Sequence, residues 1–157
     1  TAQLILEDLE SKGIIESKTR GKIKSYKLKI NDLSKRYLTF VEQYKSIAFM
    51  EKNLLIKEII GKIAPFIDGI GIIFGSYAKG TSNKESDLDI FISGNYENEE
   101  VKKVSRNLGI DISVKCYPLK TFEKNIKQDI LLKEILKNHI LFKNIELFIE
   151  KVVKLQE

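Results

Sequence analysis

The sequence predicts an α+β fold in which helices pack on a small mixed β-sheet, preceded by a helix–hairpin segment and a long connecting helix. Three observations carry this. Apolar residues recur at helical spacing over long stretches, as in Leu33, Tyr37, Phe40, Val41, Tyr44, Ile47 and Ala48. Short apolar runs, Ile70–Phe74 and Leu88–Ile92, read as strands. Helical and strand-like runs then follow one another in turn, which is the order of an α+β domain.

Residues 2–12 read as an amphipathic helix with Ala2, Ile5, Leu6 and Leu9 on one side, stopped by Gly13. A short strand at Ile14–Ser17, a turn at Thr19–Lys22 and a second strand at Ile23–Ile30 follow. In the second strand Tyr26, Leu28 and Ile30 alternate with Lys27 and Lys29, the period of a half-buried ribbon. Asn31 or Asp32 can cap the long helix, which would connect the hairpin to the rest or pair with a second subunit. A further helix spans 53–64 before Pro65 and Gly69 break the pattern. Beyond the strand at 70–74 the order is a short helix, a strand at 88–92, a helix at 97–108 and a strand at 110–117. A helix at 120–138, a brief edge strand at 139–142 and a closing helix at 146–155 complete the chain. The expected units are 1–50, hairpin segment plus linker helix, and 51–157, the domain that carries the chemistry. No internal repeat or low-complexity tract interrupts this order.

Composition removes several chemistries. Of 157 residues 43% are hydrophobic, enough for a core. No apolar run approaches the roughly 20 residues that span a bilayer, so no membrane association is expected. One cysteine excludes an internal disulfide and suits a reducing cytoplasm. One histidine and one cysteine are too few for a zinc site, so a bound metal would be a hard, oxygen-liganded ion such as Mg²⁺. The net charge is +5, and residues 17–31 contain no acid while Lys18, Arg20, Lys22, Lys24, Lys27 and Lys29 crowd into them. Such a run attracts phosphates, and it makes Lys18, Arg20, Lys22 and Lys24 the candidate DNA contacts. The chain opens on Thr1 rather than methionine, which leaves room for an upstream segment.

The informative stretch is Gly75-Ser76-Tyr77-Ala78-Lys79-Gly80 through Ser86-Asp87-Leu88-Asp89-Ile90-Phe91. Asp87 and Asp89 are two apart where a strand begins, so their side chains share one face while Leu88, Ile90 and Ile92 enter a core. Adjacent carboxylates repel unless a cation sits between them, and Mg²⁺ resolves that conflict while keeping positions for water and phosphate oxygens. Asp111, between Ile110 and Ile112 on the next predicted strand, brings a third carboxylate to the same face if the two strands pair. Gly75 lets the backbone approach a bulky anion, and Ser76 offers a hydroxyl and an N–H at a helix start. Lys79 and Ser86 are further candidates for the nucleotide, although Ser86 could instead cap or orient Asp87. Tyr77 and His139 read as packing residues, and Cys116 as a small hydrophobe on a buried strand.

In these elements the chain resembles the DNA polymerase β-like nucleotidyltransferase superfamily: Gly-Ser, a spacer of about ten residues, Asp-x-Asp, and a later acid between apolar residues. Ten residues separate Ser76 from Asp87, and Asp111 supplies the last element. The wording is most similar to the minimal nucleotidyltransferases, and the resemblance covers about 53–145. It implies a nucleotidyltransferase fold, ATP as substrate and two Mg²⁺ ions on Asp87, Asp89 and Asp111. It further implies transfer of AMP to a hydroxyl acceptor, on a helical toxin protein where such enzymes serve as antitoxins. Residues 1–30 resemble the second half of a winged-helix DNA-binding domain, with 2–12 as recognition helix. That favours an alternative: a transcription regulator whose nucleotidyltransferase domain senses nucleotide, is inactive or dimerises. A third possibility is adenylylation of a small molecule.

Overall fold

The computed structural model describes residues 1–154. Helix α1 (Ala2–Ser11) leads into a hairpin of β1 (Ile15–Arg20) and β2 (Ile23–Leu28); β1 runs further than expected and β2 ends two residues earlier, and only residues 21 and 22 are left for the turn. Helix α2 (Asp32–Lys52) starts at a capping box: Asn31 Oδ1 accepts from Ser34 N–H at 2.8 Å and Ser34 Oγ accepts from Asn31 N–H at 3.0 Å. Asn31, not Asp32, is the cap. Its Nδ2 also donates to the Gly13 carbonyl at 2.8 Å, tying the end of α1 to the start of α2. We expect Asn31→Ala to lower the unfolding free energy by about 1–2 kcal/mol, read from denaturant midpoints. The expected boundary at residue 50 falls inside the last turn of α2.

Helix α3 (Leu54–Ile63) and a 3₁₀ turn at Ala64–Phe66 precede β3 (Ile67–Ile73). Here Gly69 does not break the chain. It lies within β3 opposite Gly94 of β4 (Leu88–Tyr96), at φ +134, and a Cβ on it would sit 2.2 Å from the Ser93 carbonyl oxygen. The glycine pair permits a close strand approach that any side chain would block. Between β3 and β4 lies the five-residue α4 (Gly75–Lys79). After β4 come α5 (Asn98–Leu108) and β5 (Ile112–Tyr117). The helix expected over 120–138 is two helices, α6 (Leu119–Asn125) and α7 (Ile130–Lys137), because Asp129 caps a new start by accepting from Leu132 N–H at 3.0 Å. Strand β6 (Ile140–Lys143) and α8 (Ile145–Val153) follow; Leu155, the expected end of the last helix, lies outside the described residues.

The main sheet has the order β5-β4-β3-β6, with β4 and β5 parallel and the other pairs antiparallel. It is a small mixed sheet with helices on both faces, consistent with a nucleotidyltransferase fold. On one face Leu88, Ile90 and Ile92 meet Ile56, Ile59, Ile63, Val101 and Val104 of α3 and α5. On the other, Ile70, Ile72 and Phe91 meet Phe122, Leu132, Ile135 and Phe148. Strands covered on both sides need apolar residues at both parities, which is why Ile70–Ile73 and Ile90–Ile92 read as continuous runs. Helix α2 packs along α8 and β6. His139 holds that contact: its Nδ1 lies 3.0 Å from the Ile135 carbonyl, its Nε2 3.3 Å from Glu42 of α2, and its ring lies on Phe148. Among the described residues no helix is long and apolar enough to cross a membrane.

Candidate active site

The sheet geometry places the site at the start of β4. Asp89 pairs with Ser113 of β5, and Leu88 N–H donates to the Asp111 carbonyl at 2.8 Å, so Asp111 stands beside the entry to β4. Alternation then sets Asp87, Asp89, Asp111, Ser113 and Lys115 on one face, with Leu88, Ile90, Ile112 and Val114 in the core behind them. β3 delivers the other half. Phe74 N–H donates to the Asp89 carbonyl at 3.0 Å, and the chain turns at Gly75 with φ +68. A Cβ at Gly75 would lie 2.1 Å from Asp89 Oδ2. Only glycine lets this backbone and this carboxylate share the space.

No side chain caps α4, so the first N–H groups of this short helix have no capping side-chain partner. Five residues give little macrodipole, so any attraction for anions here rests on these donors and the lysines rather than on a helix field.

Burial, and next the charge of Asp87, push the Asp89 carboxyl above its ordinary value, with Lys115 and Lys79 opposing. The charge of Asp87 thus disfavours the ionised form of Asp89, as in an unneutralised pair. The donor set is all oxygen and the Gly75 turn leaves Asp89 a fixed cradle, so the pair suits a hard divalent cation. Asp111 is the third candidate. It is exposed, and no three acidic, histidine or cysteine side chains cluster as a metal site among the described residues. The backbone register aligns Asp111 with the pair, and its side chain is exposed beside the entry to β4.

The remaining candidates divide. Lys79 reaches across to Glu134 of α7 in an ion pair, and its proximity holds the Glu134 carboxyl below its ordinary value. Ser86 is turned to its own loop: its Oγ accepts from Asn83 N–H at 2.9 Å, and its N–H donates to the Asn83 carbonyl at 3.2 Å. It therefore shapes the approach to Asp87. Tyr77 packs on the core, and Cys116, its thiol pushed up by burial, donates to the Gly94 carbonyl. A cavity of about 430 Å³ opens between the end of α2 and α4, lined by Phe49, Lys52, Asn53, Tyr77 and Lys79. Lys115 and Glu134 are the residues that sequence reasoning missed. Lys115 had a signal, a charge in an apolar strand at the same parity as Asp111; Glu134 had none.

The hairpin does not present its four candidates together. Lys18 and Arg20 lie on the face of β1 that shares register with Lys27. Lys24 pairs with Thr19 on the opposite face, where it meets Glu10 at 3.1 Å and lies over the Tyr26 ring. Lys22 sits at the turn. A two-residue period splits a basic run between two faces, whatever its density in sequence.

A glycine turn held against paired carboxylates on a mixed sheet fits a class of protein that handles polyphosphates. The profile of one such family, described as Nucleotidyltransferase domain, matches residues 55–155. The chain belongs to that family and is a nucleotidyltransferase. No curated protein matches it. A solved structure described as a toxin-antitoxin with AMP-PNP is similar over 72% of this chain and 86% of that one, at 17% identity and a TM-score of 0.36. Likeness at that level says nothing about what this chain acts on.

Proposed function

We propose that the chain transfers AMP from ATP to a hydroxyl acceptor in a Mg²⁺-dependent reaction in the cytoplasm. The observation that carries this is the interlock of Gly75 with Asp89, which places paired carboxylates directly against the turn offering backbone donors. Asp87 and Asp89 would hold the metal, with Asp111 as the third donor. When bound, Mg²⁺ neutralises the triphosphate and acidifies the incoming hydroxyl. The N–H groups of Gly75 and Ser76 and the Ser76 hydroxyl receive the phosphates, and Ser86 orders the loop that delivers Asp87. The acceptor oxygen bonds the α-phosphorus, pyrophosphate leaves, and the hydroxyl proton passes to solvent. Positioning and charge neutralisation supply most of the rate, as in phosphoryl transfer generally.

Lys79 exchanges Glu134 for phosphate when ATP binds. Lys79→Ala is therefore expected to raise the KM for ATP about tenfold with a smaller change in kcat, and Glu134→Gln to lower it. The acceptor we assign is a side-chain hydroxyl on a partner protein, a helical toxin, which makes the chain an antitoxin of the minimal nucleotidyltransferase type. The test is incubation of the chain with α-labelled ATP, Mg²⁺ and extract of its host. One labelled protein band, absent without Mg²⁺, is expected; label on a small molecule or on nothing overturns the assignment.

A second reading concerns residues 1–50 as a winged-helix DNA-binding unit attached to the catalytic unit at 51–157. Lys18, Arg20 and Lys27 on one exposed hairpin face favour it. It predicts salt-sensitive DNA binding that fails in Lys18→Ala with Arg20→Ala and survives Asp87→Asn with Asp89→Asn.

A further inference from the structure

Helix α2 uses one side to hold the fold. Ser34, Leu38, Glu42 and Phe49 face the protein's own core and α8. A second stripe points away from it. Leu33, Tyr37, Phe40, Tyr44 and Ile47 follow one another at alternating steps of four and three, and with Val41 they are between 36% and 66% exposed. Steps of four and three are the repeat that keeps an apolar seam facing a neighbouring helix along its length. A monomer has no reason to place three aromatic rings in line there. The stripe is one continuous run of exposed apolar side chains rather than scattered single ones, the form in which an apolar patch marks an interaction surface.

We propose that this stripe is the interface of a two-fold dimer in which α2 of one copy lies antiparallel to α2 of a second copy of this chain. The seam itself carries no charge from Leu33 to Ile47, so two copies of a basic protein can close on it without opposing like charges. The charges at its ends select the direction. Arg36 flanks the seam near its start and Glu51 lies on it near its end. Antiparallel pairing brings Arg36 within reach of the partner's Glu51, whereas parallel pairing sets Glu51 against Glu51 and Arg36 against Arg36. Opposed helices also cancel their macrodipoles. In this register Phe40 meets the partner's Tyr44 and Tyr37 the partner's Ile47, each contact occurring twice by symmetry. Aromatic anchors at the centre are what dimer interfaces favour.

The experiment is the solution mass of the full chain by light scattering at micromolar concentration. Twice the 18.1 kDa of one chain is expected. Phe40→Glu with Tyr44→Glu should halve the mass while keeping the far-UV spectrum and cooperative unfolding, since both side chains are exposed in a single chain. Arg36→Glu should weaken the dimer and Arg36→Glu with Glu51→Arg restore it, a readout that a folding defect would not produce. Tyr37→Cys with Ile47→Cys should cross-link two chains under oxidation, and Tyr37→Cys alone should not. A monomer, a dimer indifferent to Phe40→Glu with Tyr44→Glu, a dimer cross-linked through position 37 alone, or a monomer that binds anionic vesicles through this stripe overturns the proposal.

Discussion

Replacing Asp87 and Asp89 together by asparagine is expected to remove nucleotidyl transfer by at least roughly a thousandfold and to leave the protein no less stable. The second half of that expectation is the more diagnostic. Burial and the charge of Asp87 hold the Asp89 carboxyl above its ordinary value. A carboxyl raised on folding binds its proton more tightly in the folded than in the unfolded chain. Its contribution is therefore most favourable at pH below the unfolded value and is lost as pH rises through the folded one. At neutral pH the wild-type fold carries that deficit and Asp89→Asn does not. Melting temperatures at pH 7 should place Asp89→Asn at or above wild type, with the gap narrowing toward the carboxylate range. A residue that weakens the empty fold while supporting the reaction is what a functional carboxylate looks like, and a structural one would behave in the opposite way.

The other large effect is expected at Gly75. Alanine there meets two separate obstacles: φ of +68, which an L side chain adopts at a cost of order 1–2 kcal/mol, and a Cβ placed 2.1 Å from Asp89 Oδ2. The carboxylate must move or the turn must open. Either displaces donors and metal ligands relative to each other by about an ångström, which can cost roughly a hundredfold in rate. Gly75→Ala should thus lower kcat far more than it lowers the melting temperature. The neighbouring Gly80, whose added Cβ would meet nothing within 4 Å, serves as the control: Gly80→Ala shares the positive φ but should keep most of its activity.

Much of this site was legible because it depends on period and spacing. The i, i+2 placement of Asp87 and Asp89 at a strand start, and the Gly-Ser pair after an apolar strand, both translate directly into backbone geometry. Asp111 was legible in register only. Parity places its backbone beside β4, but whether three carboxylates converge depends on what neutralises them, which sequence does not record. Contacts between distant segments were not legible at all. Nothing in the run around Glu134 shows that it meets Lys79, because that pair forms only once α7 packs over the sheet. The break between α6 and α7 was missed for a local reason: apolar spacing carries across Ile126 and Ile130, and the capping role of Asp129 is visible only once Leu132 N–H points at it. The division of the basic hairpin between two faces was not legible in its lysine count, since counting ignores the face on which each one falls.

In the proposed reaction Asp87 and Asp89 share a divalent cation against the turn at Gly75. Calorimetric titration of ATP into the full chain, with and without Mg²⁺, tests it most directly. Binding that requires Mg²⁺ and is lost in Asp87→Asn with Asp89→Asn is expected. ATP binding that is equal without Mg²⁺ and unchanged by that substitution would contradict it.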